Sequence, residues 1–294
     1  MVLDCKLIKE QKIIKVKEEI SRLKTSLGNI NLCVILAEGF SQASGTYVAN
    51  KHRLCEEIGI TSWQYSLNWE DKSKEEVLKE LKECIEVCNN DKECNGILVQ
   101  LPLPYGIVDS DFSHLINPNK DVDGFNEVNT GRLVKGIDSI IPCTAQACMD
   151  VLEYNNIALE GKNVIILNRS LLVGKPLISL LLEKNATVQI CHSKTKDLDR
   201  KIMVADIIIT AVGKTDFIKA CDLRGGQIVL DVSMNRDKDG KLCGDIKKSD
   251  YKTLENMQVK FTTVPAGIGV LTVTNLLENT VKCCKLQNKQ NGGI

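Results

Sequence analysis

The chain has 294 residues, 43% of them hydrophobic, and 38 basic side chains balance 38 acidic ones to a formal net charge of zero. That length allows two domains with sizeable cores, and the charge balance gives no footprint for nucleic acid or an anionic membrane surface. No apolar run approaches the roughly 20 residues of a membrane helix, and the charged amphipathic start MVLDCKLIKEQKIIKVKEEI is not patterned as a signal peptide.

Residues 4–27 carry apolar positions at helical spacing (Leu7, Ile13, Ile20, Leu23, Leu27) among Lys and Glu, the pattern of a surface helix. Residues 31–37, NLCVILA, read as a buried strand. A loop leads to Ser44, an expected helix N-cap, and on the helix that follows Tyr47 and Lys51 stand four apart and share a face. Residues 62–67 read as a strand, 73–88 as a helix and 96–100 as another strand. In the last, the apolar run Ile97-Leu98-Val99 gives way to Gln100, and then to two prolines that cannot continue a central ladder. Gln100 therefore falls at the carboxyl end of its strand, where open α/β sheets bind ligands. A loop and short helix lead on to Lys120-Asp121-Val122-Asp123-Gly124, with two carboxylates on either side of a valine.

Pro142-Cys143-Thr144 precedes a helix over 145–154, and the strand–helix alternation restarts there. Strands are expected at 163–167, 187–191, 205–210, 227–231 and 259–262. A helix runs from Gly174 to near Lys184, a last helix spans 271–286, and the tail QNKQNGGI reads as disordered. Repeated alternation implies mostly parallel sheets. The fold class is α/β: residues 1–141 form an N-terminal α/β/α substrate domain, completed by 271–294, and 142–270 form a Rossmann-like dinucleotide-binding domain.

The thirteen cysteines are scattered without a CxxC pair, and three histidines accompany them. Cys84, Cys88 and Cys94 come nearest to a cluster, but the first two lie at i, i+4 on an apolar helical stripe. Zinc-type spacing is missing, so no metal site is expected. Free thiols suit a reducing cytosol, which makes a cytoplasmic location the expectation.

The turn after residues 163–167 reads Asn168-Arg169-Ser170-Leu171-Leu172-Val173-Gly174. A strand running through a glycine-containing turn into a helix is where a pyrophosphate meets backbone N–H groups and a helix dipole. Asn168 stands where a first glycine is usual, and asparagine tolerates a left-handed backbone. An NAD site would show a carboxylate at the end of the next strand. Here that end reads Cys191-His192-Ser193-Lys194, so Arg169, Ser193 and Lys194 suit the extra phosphate of NADP instead.

Taken together, the segments ASGTYVANK (43–51), GILVQLPLP (96–104), KDVDGF (120–125), PCT (142–144), RSLLVGKP (169–176), CHSKT (191–195), AVGK (211–214), VPAGIG (264–269) and the pair Asn279-Thr280 resemble one family in order and over nearly the whole chain. It is the bifunctional methylenetetrahydrofolate dehydrogenase/methenyltetrahydrofolate cyclohydrolase family. The resemblance implies a homodimer that oxidises 5,10-methylenetetrahydrofolate with NADP and hydrolyses the methenyl product to 10-formyltetrahydrofolate, in one-carbon metabolism and purine biosynthesis. It implies catalytic roles for Lys51, Tyr47, Gln100 and Asp123, and folate contacts from Tyr47, Gln100, Asp123, Pro265 and Gly267. Asn168, Arg169, Ser170, Val173, Gly174, His192, Ser193, Ala211, Val212, Gly213, Ser233 and Thr272 are the implied cofactor-binding residues. The chain departs from the family pattern at PCTAQA (142–147), at Asn168 and Ser233, where the family has glycine, and at Ala266 and Val270.

The chemistry gives these residue types a reason. Hydride loss leaves a methenyl cation stabilised by two nitrogens, so that step needs positioning more than a base. Hydrolysis needs a base, and a lysine with a lowered pKa can serve near neutral pH; Lys51 is the candidate, with Gln100 orienting it or the water. Asp123 suits the pterin edge, where an amino group and a ring N–H present adjacent donors to one carboxylate, while Asp121 is expected to be structural. Two other readings stay open at this point: a two-domain dehydrogenase of the shikimate type, and a folate- or nucleotide-binding protein without turnover.

Overall fold

The computed structural model describes residues 1–38 and 42–290; the side chains at positions 27, 42–47, 50 and 290 lie outside that description. The chain forms two compact units, Lys12–Ile141 together with the chain from Leu276, and Pro142–Asn275 together with Met1–Gln11.

In the first unit, β1 (Asn31–Ala37) lies between β2 (Thr61–Leu67) and β3 (Gly96–Val99) in a parallel sheet of order β2-β1-β3. The register pairs Asn31 with Thr61 and Leu32 with Gly96. Every residue of β1 and β3 is buried, as central parallel strands require, whereas β2 is a half-exposed edge. The helices are α1 (Cys5–Leu27), α2 (Gln42–Ile58), α3 (Lys74–Asn90) and α4 (Glu127–Val134). Helix α3 begins where Ser73 forms a capping box with Glu76: Ser73 Oγ accepts from Glu76 N, and Glu76 Oε2 accepts from Ser73 N at 2.8 Å. Its buried stripe, Val77, Leu81, Ile85 and Cys88, packs on Cys33, Ile35, Ile97 and Val99 of the sheet.

The second unit holds β4 (Asn163–Leu167), β5 (Thr187–Ile190), β6 (Ile207–Thr210), β7 (Ile228–Asp231) and a later strand, β10 (Lys260–Phe261), in an all-parallel sheet of order β10-β7-β6-β4-β5. Between β7 and β10 lies an antiparallel hairpin of β8 (Asn235–Arg236) and β9 (Leu242–Cys243). Helices α5 (Cys143–Tyr154), α6 (Gly174–Glu183), α7 (Leu198–Val204), α8 (Tyr251–Asn256) and the start of α9 (Gly269–Gln290) belong here. From β4 the chain crosses first to β5 on one side and then to β6 on the other. The carboxyl ends of β4 and β6 therefore flank a topological switch point, the crevice where such sheets bind ligands.

Two α/β units with parallel sheets match the expected fold class. The units divide differently from the expected boundaries at residues 1–11 and 271–275, which fall in the second unit. Leu3 N donates to Phe261 O at 2.8 Å, Phe261 N donates to Met1 O at 3.1 Å, and Val2 forms a parallel bridge to Phe261, so the N-terminus extends the second sheet beyond β10. Three residues ahead of a charged helix carry too little pattern to reveal this. Helix α2 begins at Gln42, so Ser44 lies inside its first turn and is not the cap. The tail expected to be disordered from Gln287 is helical to Gln290, where Gln287 Nε2 donates to the carbonyls of Asn95 (2.7 Å) and Asn119 (2.9 Å).

Candidate active site

Gly96 opens β3 because the segment after Lys120 runs directly beside it. A Cβ there would come within 2.5 Å of Val122 Cγ1. Ile97 N donates to Lys120 O at 2.7 Å, and Ile97 and Asp121 form a parallel bridge. This segment is fastened at three further points. Lys120 Nζ is buried against the end of α3, donating to Cys88 O (3.0 Å), Asn89 O (2.9 Å) and Asp91 O (2.6 Å), where a cation complements the helix dipole. Asp121, 1% exposed, accepts from Gly124 N, Phe125 N, Asn126 N and Asn129 Nδ2 and so ties down its own turn. Asn279 Nδ2, on α9, donates to Val122 O at 2.8 Å and Ile141 O at 2.9 Å.

The fastened turn holds up Asp123. Its carboxylate takes no hydrogen bond from the described residues, although it is half-buried. Burial pushes its pKa up to about 6, against the downward pull of the Lys51 ammonium, and the negative charges of Asp121 and Asp109 add to the rise. Lys51, on α2, is 5% exposed, and its Nζ donates to Gln100 Oε1 at 2.9 Å. Gln100 sits just past β3, with its N–H on Ile35 O of β1 and its Nε2 on Leu101 O, so the amide presents its oxygen to Lys51 in a fixed orientation. A lysine on a helix is usually a surface residue; here the amine is buried beside a glutamine and a carboxylate that has no donor among the described residues. The Tyr47 side chain lies outside the described residues. The other conspicuous cluster of this unit, Cys33, Cys84, Cys88 and Cys94, is buried, with Cys33 and Cys88 sulfurs 3.4 Å apart. No group of metal-binding side chains is present among the described residues.

In the second unit, Ile166 of β4 pairs with Ile190 of β5. Arg169 and Ser193 each follow three residues later, both exposed, so they leave neighbouring strand ends together. Asn168 does not take a left-handed backbone. Its side chain does the work expected of backbone geometry: Oδ1 accepts from Ser170 N (2.7 Å), Ser170 Oγ (2.7 Å) and Gly174 N (3.3 Å), and Nδ2 donates to Ala211 O (2.8 Å). This last bond crosses the switch point from the β4 loop to the β6 loop. Gly174 starts α6 pressed on that turn, since a Cβ would come within 2.2 Å of Asn168 O. The residues fit a dinucleotide: an α6 N-terminus at the switch point, an exposed Arg169 and Ser193 beside it, and no carboxylate at the end of β5.

The remaining implied residues divide. His192 is half-buried, its Nδ1 accepting from Lys194 N at 3.1 Å. Val173 and Ser233 are buried and belong to the framework. Gly213 has φ +77°, a conformation glycine adopts without penalty. Pro265, Gly267 and Thr272 all lie in this second unit. Gly267 leaves no room for a side chain, a Cβ falling 2.1 Å from Thr263 O, and Thr272 Oγ1 donates to Gly269 O on α9 at 2.9 Å.

Models of two domain families cover most of the chain: the catalytic domain of tetrahydrofolate dehydrogenase/cyclohydrolase over residues 3–123, and its NAD(P)-binding domain over residues 142–288. The chain belongs to the tetrahydrofolate dehydrogenase/cyclohydrolase family. Among its relatives are bifunctional FolD proteins of Caldicellulosiruptor saccharolyticus, 43% identical over 278 residues (93% of this chain, 96% of the relative), and of Acetivibrio thermocellus, 40% identical over 275 residues (94% and 93%). The crystal structure of the bifunctional FolD enzyme from Campylobacter jejuni superposes with a TM-score of 0.89 at 39% identity, covering 98% of this chain and 99% of that one. The Trypanosoma brucei dehydrogenase-cyclohydrolase, solved with NADP and an inhibitor, gives 0.86 at 28% identity and 98% coverage of both. Family membership sets aside the shikimate-type alternative.

Sequence reasoning missed Asp245. It is fully buried after β9 and accepts hydrogen bonds from the loop after β6. The one local signal is Gly244, where a Cβ would come within 2.0 Å of Asp231 Oδ2. Burial, with a smaller push from the Asp245 charge, raises Asp231 to about 6.

Proposed function

We propose that the chain oxidises 5,10-methylenetetrahydrofolate to the 5,10-methenyl compound with NADP and hydrolyses that product to 10-formyltetrahydrofolate. The observation that carries this reading is the buried Lys51 Nζ donating to Gln100 Oε1 at 2.9 Å beside an Asp123 carboxylate with no donor among the described residues.

Asp123 holds the pterin edge by accepting from its amino group and ring N–H, donors that the described residues do not supply. The fixed Gln100 amide orients the Lys51 amine toward the one-carbon bridge. In the hydrolytic step water attacks the methenyl carbon, forming a C–O bond, and its proton passes to the Lys51 amine. The ammonium then returns a proton to the ring nitrogen as the C–N bond breaks, and the hydroxyl left on the carbon gives up its proton to solvent as the formyl C=O forms. In the oxidative step the same groups hold the substrate, and the nicotinamide, when bound, accepts the hydride. Tyr47, on the helix that carries Lys51, is assigned to the folate ring.

Arg169 and Ser193 favour NADP over NAD, since a planar guanidinium suits a phosphate and no acidic side chain ends β5 to take ribose hydroxyls. Pro265 and Gly267 are assigned to folate, and Thr272 to the cofactor. A homodimer is supported by the exposed Leu172, Leu182 and Val204 and by the edge strand β5. A cytoplasmic location is supported by the thirteen unpaired thiols. The product would supply formyl groups to purine synthesis.

Purified protein given methylenetetrahydrofolate with NADP and with NAD in parallel tests the proposal. Reduction of NADP at the higher kcat/KM, together with disappearance of the methenyl absorbance faster than its spontaneous decay, is the expected result. Absence of both reactions would reject it in favour of a binding protein without turnover.

A further inference from the structure

The loop after β6 carries three successive backbone N–H groups, on Val212, Gly213 and Lys214. Three such groups in a row are a common way of binding phosphate. Here they are already occupied by one side chain. Asp245 Oδ2 accepts from Val212 N at 2.8 Å, and Oδ1 accepts from Gly213 N at 3.1 Å and Lys214 N at 2.9 Å. The same carboxylate takes Thr210 Oγ1 (2.6 Å), Ser233 Oγ (2.8 Å) and Asn235 Nδ2 (3.1 Å). Six donors fill its lone pairs, and it is 0% exposed.

Ser233 uses both capacities of its hydroxyl, donating to Asp245 and accepting from Gly213 N at 3.1 Å. From the opposite side Asn168 Nδ2 holds the Ala211 carbonyl. The loop is thus bonded through its carbonyl to the end of β4 and through its N–H groups to the ends of β7 and β9. It is not available as an anion site, and at the start of α6 Gly174 N and Lys175 N are likewise taken, by Asn168 Oδ1 and Ser170 O, so phosphate contacts fall to the exposed Arg169 and Ser193 side chains. It is instead a surface fixed in advance.

We propose that Asp245, acting with Ser233 and Asn168, is a positioning residue that pre-forms the Ala211–Gly213 loop for the dinucleotide. This rests on the assignment of that loop to the cofactor site. Holding the loop before the ligand arrives lowers the ordering cost of binding, so loss of Asp245 loosens the site without touching the ligand.

The test is a fluorescence titration of the full chain with NADPH, alongside dehydrogenase kinetics and thermal melting. Asp245→Asn turns an amide donor toward N–H groups that need an acceptor. It should raise the NADPH Kd about tenfold or more, with the cofactor KM rising by a larger factor than kcat falls. Ser233→Ala should raise the Kd about two- to fivefold, as for a single hydrogen bond, and it keeps the test alive if Asp245→Asn does not fold. Gly213→Ala, which strains the loop itself, separates the two layers of the argument. If Gly213→Ala weakens NADPH while Asp245→Asn and Ser233→Ala bind it at parent affinity and merely melt earlier, Asp245 is structural only and the inference fails. If all three bind NADPH at parent affinity, the loop is not at the cofactor site and the assignment beneath the inference fails with it. Tighter binding by Ser233→Ala would show that the hydroxyl obstructs the site, again overturning the proposal.

Discussion

Asp245 in the nucleotide-binding unit and Asp123 in the folate unit are both carboxylates withdrawn from water, yet the protein treats them in opposite ways. Asp245 accepts from six donors, three of them backbone N–H groups, and is wholly enclosed. Asp123 is half-buried without a donor among the described residues, and its pKa rises to about 6. Asp121, two residues earlier, behaves like Asp245. A buried carboxylate whose acceptors are filled by its own chain is scaffold; one left unfilled is waiting for a ligand's donors. On the roles proposed above, the same contrast separates the units: one binds through side chains held in want of partners, the other through loops locked before the ligand comes.

The largest expected effect breaks the folate unit alone. Lys51→Met keeps the apolar stem and removes the amine. It should slow methenyltetrahydrofolate hydrolysis by about 100- to 10,000-fold, followed directly and corrected for the spontaneous reaction. Hydrolysis at the parent rate would remove Lys51 from the mechanism.

Asp123→Asn sharpens the contrast through stability. With the folded pKa near 6 and the ordinary value at 3.8, the fold favours the protonated carboxyl. Its stabilising contribution is therefore complete below about pH 4 and lost as pH rises through 6. Asp123→Asn should be more stable than the parent at pH 8, on the order of 1–3 kcal/mol, with the gap closing between pH 6 and 4 in urea titrations. A gap independent of pH would mean that ionisation of Asp123 is not opposed by the fold.

Arg169→Ala probes the nucleotide side. The KM for NADP should rise about tenfold, within the range for one charged hydrogen bond, with little change for NAD. Equal effects on both cofactors would show that Arg169 does not read the extra phosphate.

The smallest effect concerns Ala266, one of the departures from the family pattern, which holds φ +75°, a backbone region that favours glycine. Glycine removes a steric cost of about 1 kcal/mol and gives part of it back through unfolded-state entropy. Ala266→Gly should raise the melting temperature by roughly 1–3 °C; a lower one would show that the alanine methyl contributes packing that outweighs the strain.

Much of the fold was legible because buried parallel strands are short, unbroken apolar runs. NLCVILA and NVIIL match β1 and β4 to the residue, and the prolines after Gln100 end β3 where expected. Helices α7 and α8, of seven and six residues, are too short to display a period, and α4 and the β8–β9 hairpin were missed as well. The site was legible in its residue types and not in their states. A helix lysine reads as solvated until a sheet end closes over it, and Asp121 and Asp123 look equivalent until one is seen to be filled. Asp245 serves a loop more than thirty residues away, and no local pattern announces a contact of that range.

The most direct test of the division between filled and unfilled carboxylates is calorimetry of Asp123→Ala with tetrahydrofolate and, separately, with NADPH. Folate binding should weaken by about 2–4 kcal/mol, as for loss of a charged two-donor contact, while NADPH binds at parent affinity. Unchanged folate affinity, or equal loss of both ligands, would contradict the account.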